Sequence, residues 1–216
     1  MKKVLRAAGG DDDRVRQRVA DLPLKPREAR FPSRYPYPMP TLVMDPAPAE
    51  IDALIERRRR LGLDHRDEIW DGVYRMNPPP SHEHQVILQQ LALLLDGLAR
   101  DAGLEALIQE FGLGTSDEFR VPDGGLHRPG ASGVWHPTAA LVIEIVSPRD
   151  DTWKKLPFYA AHEVDEVLIV DPEERAVHWL GLSGPSGRCA GEYRAIERSG
   201  LIDLGSDQLA ERIDWP

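Results

Sequence analysis

The stretch that most constrains the fold is residues 139–148, AALVIEIVSP. Leu141, Val142, Ile143, Ile145 and Val146 make a short, β-branched run of the kind found in a sheet covered on both faces. Glu144 stands in the middle of it. A carboxylate there loses its water, and an isolated buried charge costs far more than one strand recovers. The rest of the chain must supply a proton, a cationic partner or a metal ion. Side chains alternate along a strand, so Glu144 shares its face with Val142 and Val146.

The flanking segments say what this strand packs against. Ala49 to Leu61 reads as a short helix ended by Gly62, with Arg57 to Arg60 at its solvated end. DEIWDGVYRM reads as a hairpin, because Asp71-Gly72 is a preferred two-residue turn. Ser81 is suited to cap a long helix reaching about Asp101 and stopped by Gly103. Ile87, Leu91, Leu94, Leu95 and Leu98 form its apolar stripe. LEALIQEFGL, EFRVPDGGL and AALVIEIVS follow as three strands, then a helix around WKKLPFYAAH. EVLIVDP and RAVHWLGL are the next two strands, and GEYRAI with SGLIDL adds short strands at an edge. A βαβ crossover then makes the Glu144 strand parallel to the Val167–Val170 strand. The whole is an α/β domain, with no internal repeat.

Residues 1–48 differ from this pattern. Prolines cluster there, periodicity is weak, and such a composition cannot bury a core. The expected division is an extended or disordered Pro-rich tail over 1–48 and one domain over 49–216. Phe31, Tyr35 and Tyr37 alternate with prolines, so the alternative for the tail is an arm that docks a partner. The first forty residues carry ten Lys/Arg against five Asp/Glu, which leaves 17 against 31 for the remainder. That acidic body argues against a protein that coats DNA through phosphate contacts. It leaves open an enzyme whose acids gather at a metal. One cysteine, Cys189, excludes an internal disulfide and fits a reducing compartment. MKKVLRAAGG is followed by no apolar segment of signal-peptide type, and no run reaches membrane-span length. A cytoplasmic protein with no membrane partner is expected.

Two residues outside the strand bear on Glu144. Asp123, in RVPDGG, is by itself a turn residue. If its strand pairs with that of Glu144, the two carboxylates converge on one hard divalent cation, which oxygen ligands hold well. Such an ion would also keep Glu144 ionised. Lys155, at the start of the next helix, is placed to swing over the pair, orient a water or offset developing charge. Pro157 fits a first helical turn, so Lys155 falls on the entering loop or at its end. Tyr159 shares its helix face, and Lys154 is expected in solvent. His82 and Glu83 are expected in solvent as well, and a zinc site at His82 and His84 lacks further ligands at helical spacing. GPSGRCAG follows a strand without the lysine or helix of a phosphate loop and reads as a hairpin loop.

The ordered set of a Pro-Asp, the strand bearing Glu144, Lys-Leu-x-x-Tyr and a strand ending Asp-Pro resembles the PD-(D/E)XK nuclease superfamily. More narrowly, with the Asp-Gly hairpin and the PPPSHEH helix start, it resembles the bacterial Uma-type restriction endonucleases, over roughly residues 64–182. The resemblance implies a restriction-endonuclease-like fold, with a central mixed β-sheet flanked by helices. It implies Mg²⁺-dependent, or Mn²⁺-dependent, hydrolysis of phosphodiester bonds in DNA. Asp123 and Glu144 would hold the metal with the Ile145 carbonyl, and Lys155 would be the catalytic lysine. His84 matches the family histidine and would touch substrate or a metal-bound water. Val146 stands where the superfamily lysine usually lies, and Lys155 would replace it from the next helix. Cutting both strands would imply a homodimer. The rival expectation is a non-catalytic module that keeps the fold to bind a partner protein or nucleic acid. A third is a toxin-like or mobile-element enzyme whose tail binds an antitoxin or partner.

Overall fold

The computed structural model describes residues 42–44, 49–148, 151–184 and 191–216. The Pro-rich segment up to residue 41, Cys189 and most of the GPSGRCAG loop lie outside the described residues. The chain begins with β1 (Leu42–Met44), α1 (Ala49–Arg60), β2 (Glu68–Trp70) and β3 (Val73–Met76). Next come α2 (His82–Asp101), β4 (Glu105–Leu107), β5 (Gly112–Thr115), β6 (Glu118–Arg120) and β7 (Gly124–His127). β8 (Trp135–His136) and β9 (Leu141–Ile145) lead into a 3-10 turn (Thr152–Lys155) and α3 (Leu156–Ala161). β10 (Glu166–Asp171), β11 (Ala176–Ser183), β12 (Glu192–Ala195) and α4 (Ser206–Ala210) complete it.

The strands form two six-stranded sheets, ordered β1-β3-β2-β6-β5-β8 and β12-β11-β10-β9-β7-β4. In the second, β9 and β10 run parallel, as a βαβ crossover requires. β7 lies antiparallel on the other side of β9, and β12 is at an edge. β1 adds an extended strand to the edge of the first sheet by pairing with β3. This is the expected α/β architecture with a central mixed sheet.

Alternation along β9 sorts its residues onto two cores. Leu141, Ile143 and Ile145 pack with Ile87, Leu91 and Leu95 of α2 and with Trp179. Val142 and Val146 pack on the opposite face with Tyr159 and Leu156 of α3 and with Leu113 of β5. Glu144 therefore projects away from the long helix, toward α3 and the first sheet. Each fully buried leucine or isoleucine contributes about 1.5–3 kcal/mol, so both faces hold β9 firmly.

Local signals act as expected at two joints. Asp71 and Gly72 both have positive φ, 51° and 78°, which identifies the primed turn that suits strand twist. Ser81 accepts a hydrogen bond from the His84 amide through its hydroxyl and caps α2. EFRVPDGGL, read as one strand, is instead two. Pro122 has no N–H for a ladder, and the chain leaves the first sheet after β6 and enters the second at β7.

Candidate active site

The break at Val121–Pro122 is what delivers Asp123. Its amide donates to the Ile143 carbonyl, and its Oδ2 accepts from the Ile145 amide at 2.8 Å. Asp123 is thus fastened to the backbone on either side of Glu144. Both carboxylates are buried. Their convergence depends on β7 pairing with β9, and that pairing is present, with Gly124 opposite Ile143.

Lys155 closes the 3-10 turn and reaches back over the sheet. Its Nζ lies 3.0 and 3.1 Å from the two Glu144 oxygens. Tyr159, one turn further on, donates its hydroxyl to Glu144 Oε1. Val146 packs among apolar side chains, so no ammonium approaches Glu144 from that position. Lys154 points outward and pairs with Asp151.

A third carboxylate enters from the first sheet. Glu68 is buried, and its Oε1 lies 3.1 Å from Lys155 Nζ and accepts from the Val121 amide. Its Oε2 accepts from the Trp70 indole N–H at 2.8 Å. Trp70 is in turn covered by two guanidinium groups, Arg75 at 3.8 Å and Arg120 at 4.4 Å from the ring centre. That stack fixes the hairpin face from which Glu68 projects. Glu68 is not among the residues expected from the sequence, although period two puts it on the face of Trp70, whose N–H needs an acceptor when buried.

No local pattern in the sequence marks Arg66. It donates to Asp123 Oδ1 at 3.2 Å and pairs with Glu110. His84 is buried, with Nε2 3.0 Å from Asp123 Oδ1 and Nδ1 3.4 Å from the Ser147 hydroxyl. The first is a close polar contact without hydrogen-bond alignment, since Nε2 has no bonded partner among the described residues. His82 and Glu83 are exposed, as expected.

Among the described residues, four carboxylates, Glu68, Glu110, Asp123 and Glu144, thus face two side-chain cations, Arg66 and Lys155. The excess shows in the titration of the groups. Burial pushes Glu144 up to about 8, with Lys155 pulling against it and Asp123 adding to it. Burial also acts to raise Asp123, but His84, Lys155 and Arg66 outweigh it and hold that carboxyl below its ordinary value. Desolvation works against the Lys155 charge, yet Glu144, Glu68 and Asp123 hold it above the usual lysine range. Burial and the Glu144 charge push the Tyr159 phenol up.

This donor set suits a hard divalent cation, whose charge matches the acidic excess. An ionised carboxylate offers about four acceptor positions. The contacts above leave one on Asp123 Oδ2 and one on Glu144 Oε2 among the described residues. No group of three or more His, Cys, Asp or Glu side chains among those residues is arranged to hold a metal alone. Remaining ligands of such a cation would come from backbone, water or substrate.

No helix among the described residues is long and apolar enough to cross a membrane. No curated protein matches the sequence. The fold is similar to the crystal structure of a putative nuclease from Anabaena variabilis, with a TM-score of 0.52 at 17% identity. That likeness covers 68% of this chain and 90% of the other, and it speaks to fold. Residues 52–200 match the Uma2 family, described as "Putative restriction endonuclease", a span that holds Glu68, His84, Asp123, Glu144 and Lys155. The chain belongs to the Uma2 family.

Proposed function

We propose that the protein is a metal-dependent endonuclease that hydrolyses phosphodiester bonds in DNA. The observation that carries this reading is the gathering of Asp123 and Glu144, from two paired strands, under Lys155. Asp123 and Glu144 would hold one Mg²⁺, or Mn²⁺ in its place. When bound, that ion supplies a water of lowered pKa and polarises the scissile phosphate. The protein's own groups do the rest. Ile145 N–H and Arg66 orient the Asp123 carboxylate, and Tyr159 orients Glu144. Lys155, held above the usual lysine range by three carboxylates, stays an ammonium. It therefore positions the attacking water and offsets charge on the phosphoryl oxygens, and it does not serve as the base. His84, beside Asp123, is placed to contact substrate.

Incubation of a supercoiled plasmid with the protein and Mg²⁺ or Mn²⁺ tests this. Wild type is expected to nick or linearise it, while Asp123→Ala and Glu144→Gln lose at least about a hundredfold in rate, in line with the loss of an electrostatic catalytic group. Equal cleavage by all three would end the proposal.

One observation favours a second reading, a module that binds a partner without catalysis. Lys155 and Tyr159 already satisfy most of the acceptor capacity of Glu144, as a closed structural network would. Such a protein would gain no thermal stability from either ion.

A further inference from the structure

The row of residues that begins at Glu144 continues across the sheet. Glu144 is opposite Ile169 of β10, and Ile169 is opposite His178 of β11. Residues in register on adjacent strands project to the same side, so His178 lies on the Glu144 face. Two strand spacings separate them, about 10 Å. Trp153 comes over His178 from the 3-10 turn that also carries Lys155, with ring centres 5.4 Å apart at 69°. Trp153 remains 46% exposed, so shielding His178 accounts for only part of its surface. Trp135, 38% exposed, is engaged differently, by a tilted contact with the Phe119 ring.

Lys154, the chain neighbour of Trp153, pairs with Asp151, and Arg75 shares that carboxylate, so two cations meet one acid there among the described residues. An acidic body gives little general attraction for phosphates, so nucleic acid must be held by a few local contacts. An aromatic platform flanked by a cation is one such contact, and it accepts any base, since every base has a π-face.

We propose that Trp153, buttressed by His178, stacks on an unpaired nucleobase flanking the phosphodiester at the Asp123–Glu144 site. The inference rests on the nuclease reading and narrows its substrate. Bases inside a duplex have both faces covered by their neighbours, so the platform takes a base from a single-stranded or frayed segment.

Fluorescence anisotropy in EDTA, with labelled 12-residue oligothymidylate and a duplex of the same sequence, tests this without cleavage. Loss of one stacked base is worth about 1–3 kcal/mol. Trp153→Ala is accordingly expected to weaken single-strand binding about 5- to 150-fold. Trp153→Phe should stay near wild type, and the duplex should be little affected. An abasic site scanned along the oligonucleotide should weaken wild type at one position and have no further effect on Trp153→Ala, the non-additivity of a shared contact. Unchanged single-strand affinity in Trp153→Ala, equal losses on both substrates, or no binding by wild type would overturn the proposal. Failure of the nuclease reading looks different: with Mg²⁺ or Mn²⁺ wild type would leave both the plasmid and the single-stranded oligonucleotide uncut, while the Trp153 effect on binding persists.

Discussion

Lys155 is shared between Glu68 and Glu144, and among the described residues neither carboxylate has another cation of comparable proximity. Removing one member of a buried ionic set strands its partners, typically at about 3–5 kcal/mol. Lys155→Met is expected to cost about 3 kcal/mol or more in urea unfolding. Added Mn²⁺ should recover part of that loss if a cation can take over the charge, and no destabilisation would contradict the shared role. A second residue gives a pH effect away from this cluster. His127 is buried against Phe111 and His136, with no partner for Nε2 among the described residues. Burial, aided by His136, lowers it from 6.5 to about 4. Above pH 6.5 the ring is neutral in both folded and unfolded chains. Between pH 6.5 and 4 the unfolded chain takes up the proton first, so stability falls as pH falls, by up to about 3 kcal/mol. His127→Phe should flatten that acid limb in urea titrations at pH 4.5 and 7.5, and an unchanged limb would refute the assignment.

At the scale of elements, what the sequence made legible were features carried by local chemistry. Asp71-Gly72 fixed the hairpin, Ser81 fixed the start of α2, and the apolar run fixed β9 as an interior strand. The pairing of β7 with β9 was only a condition in the sequence, which named Asp123 and Glu144 without fixing that their strands are neighbours; the structure supplies the pairing. What could not be read was the assignment of strands to two sheets, because β6 and β7 are adjacent in sequence and differ only in long-range partners. Glu68 reaches the site across that division, and Arg66 reaches it by a contact 57 residues away in sequence. Such contacts leave no periodic trace. One glycine shows how close the β7–β9 approach is. A Cβ on Gly125 would lie 2.8 Å from the Leu141 carbonyl oxygen and 3.0 Å from the Phe111 ring. The carbonyl belongs to backbone and cannot yield alone. Gly125→Ala is expected to cost about 1–3 kcal/mol, as overpacking does, and to lower plasmid cleavage by displacing Asp123. Wild-type stability and activity together would contradict the tight pairing.

At the scale of the whole molecule, we propose that residues 49–216 fold as one domain, with β1 paired to β3 at the edge of its first sheet. Deletion of residues 1–40 is expected to leave the Tm unchanged. Deletion of 1–48 also removes the β1–β3 pairing and should lower it. A large drop from the shorter deletion would place part of the tail in the core. The acidic excess gathers where the two sheets meet, and the central claim is that one divalent ion shared by Asp123 and Glu144 balances it. Titration calorimetry with Mn²⁺ at pH 7.5, on wild type, Asp123→Asn and Glu144→Gln, is the most direct measurement of that claim. The expected result is one ion per chain in wild type, with affinity at least about tenfold weaker in each folded variant, the loss of a charged ligand being worth more than 1.4 kcal/mol. Undetectable binding by wild type, or equal binding by all three proteins, would contradict it.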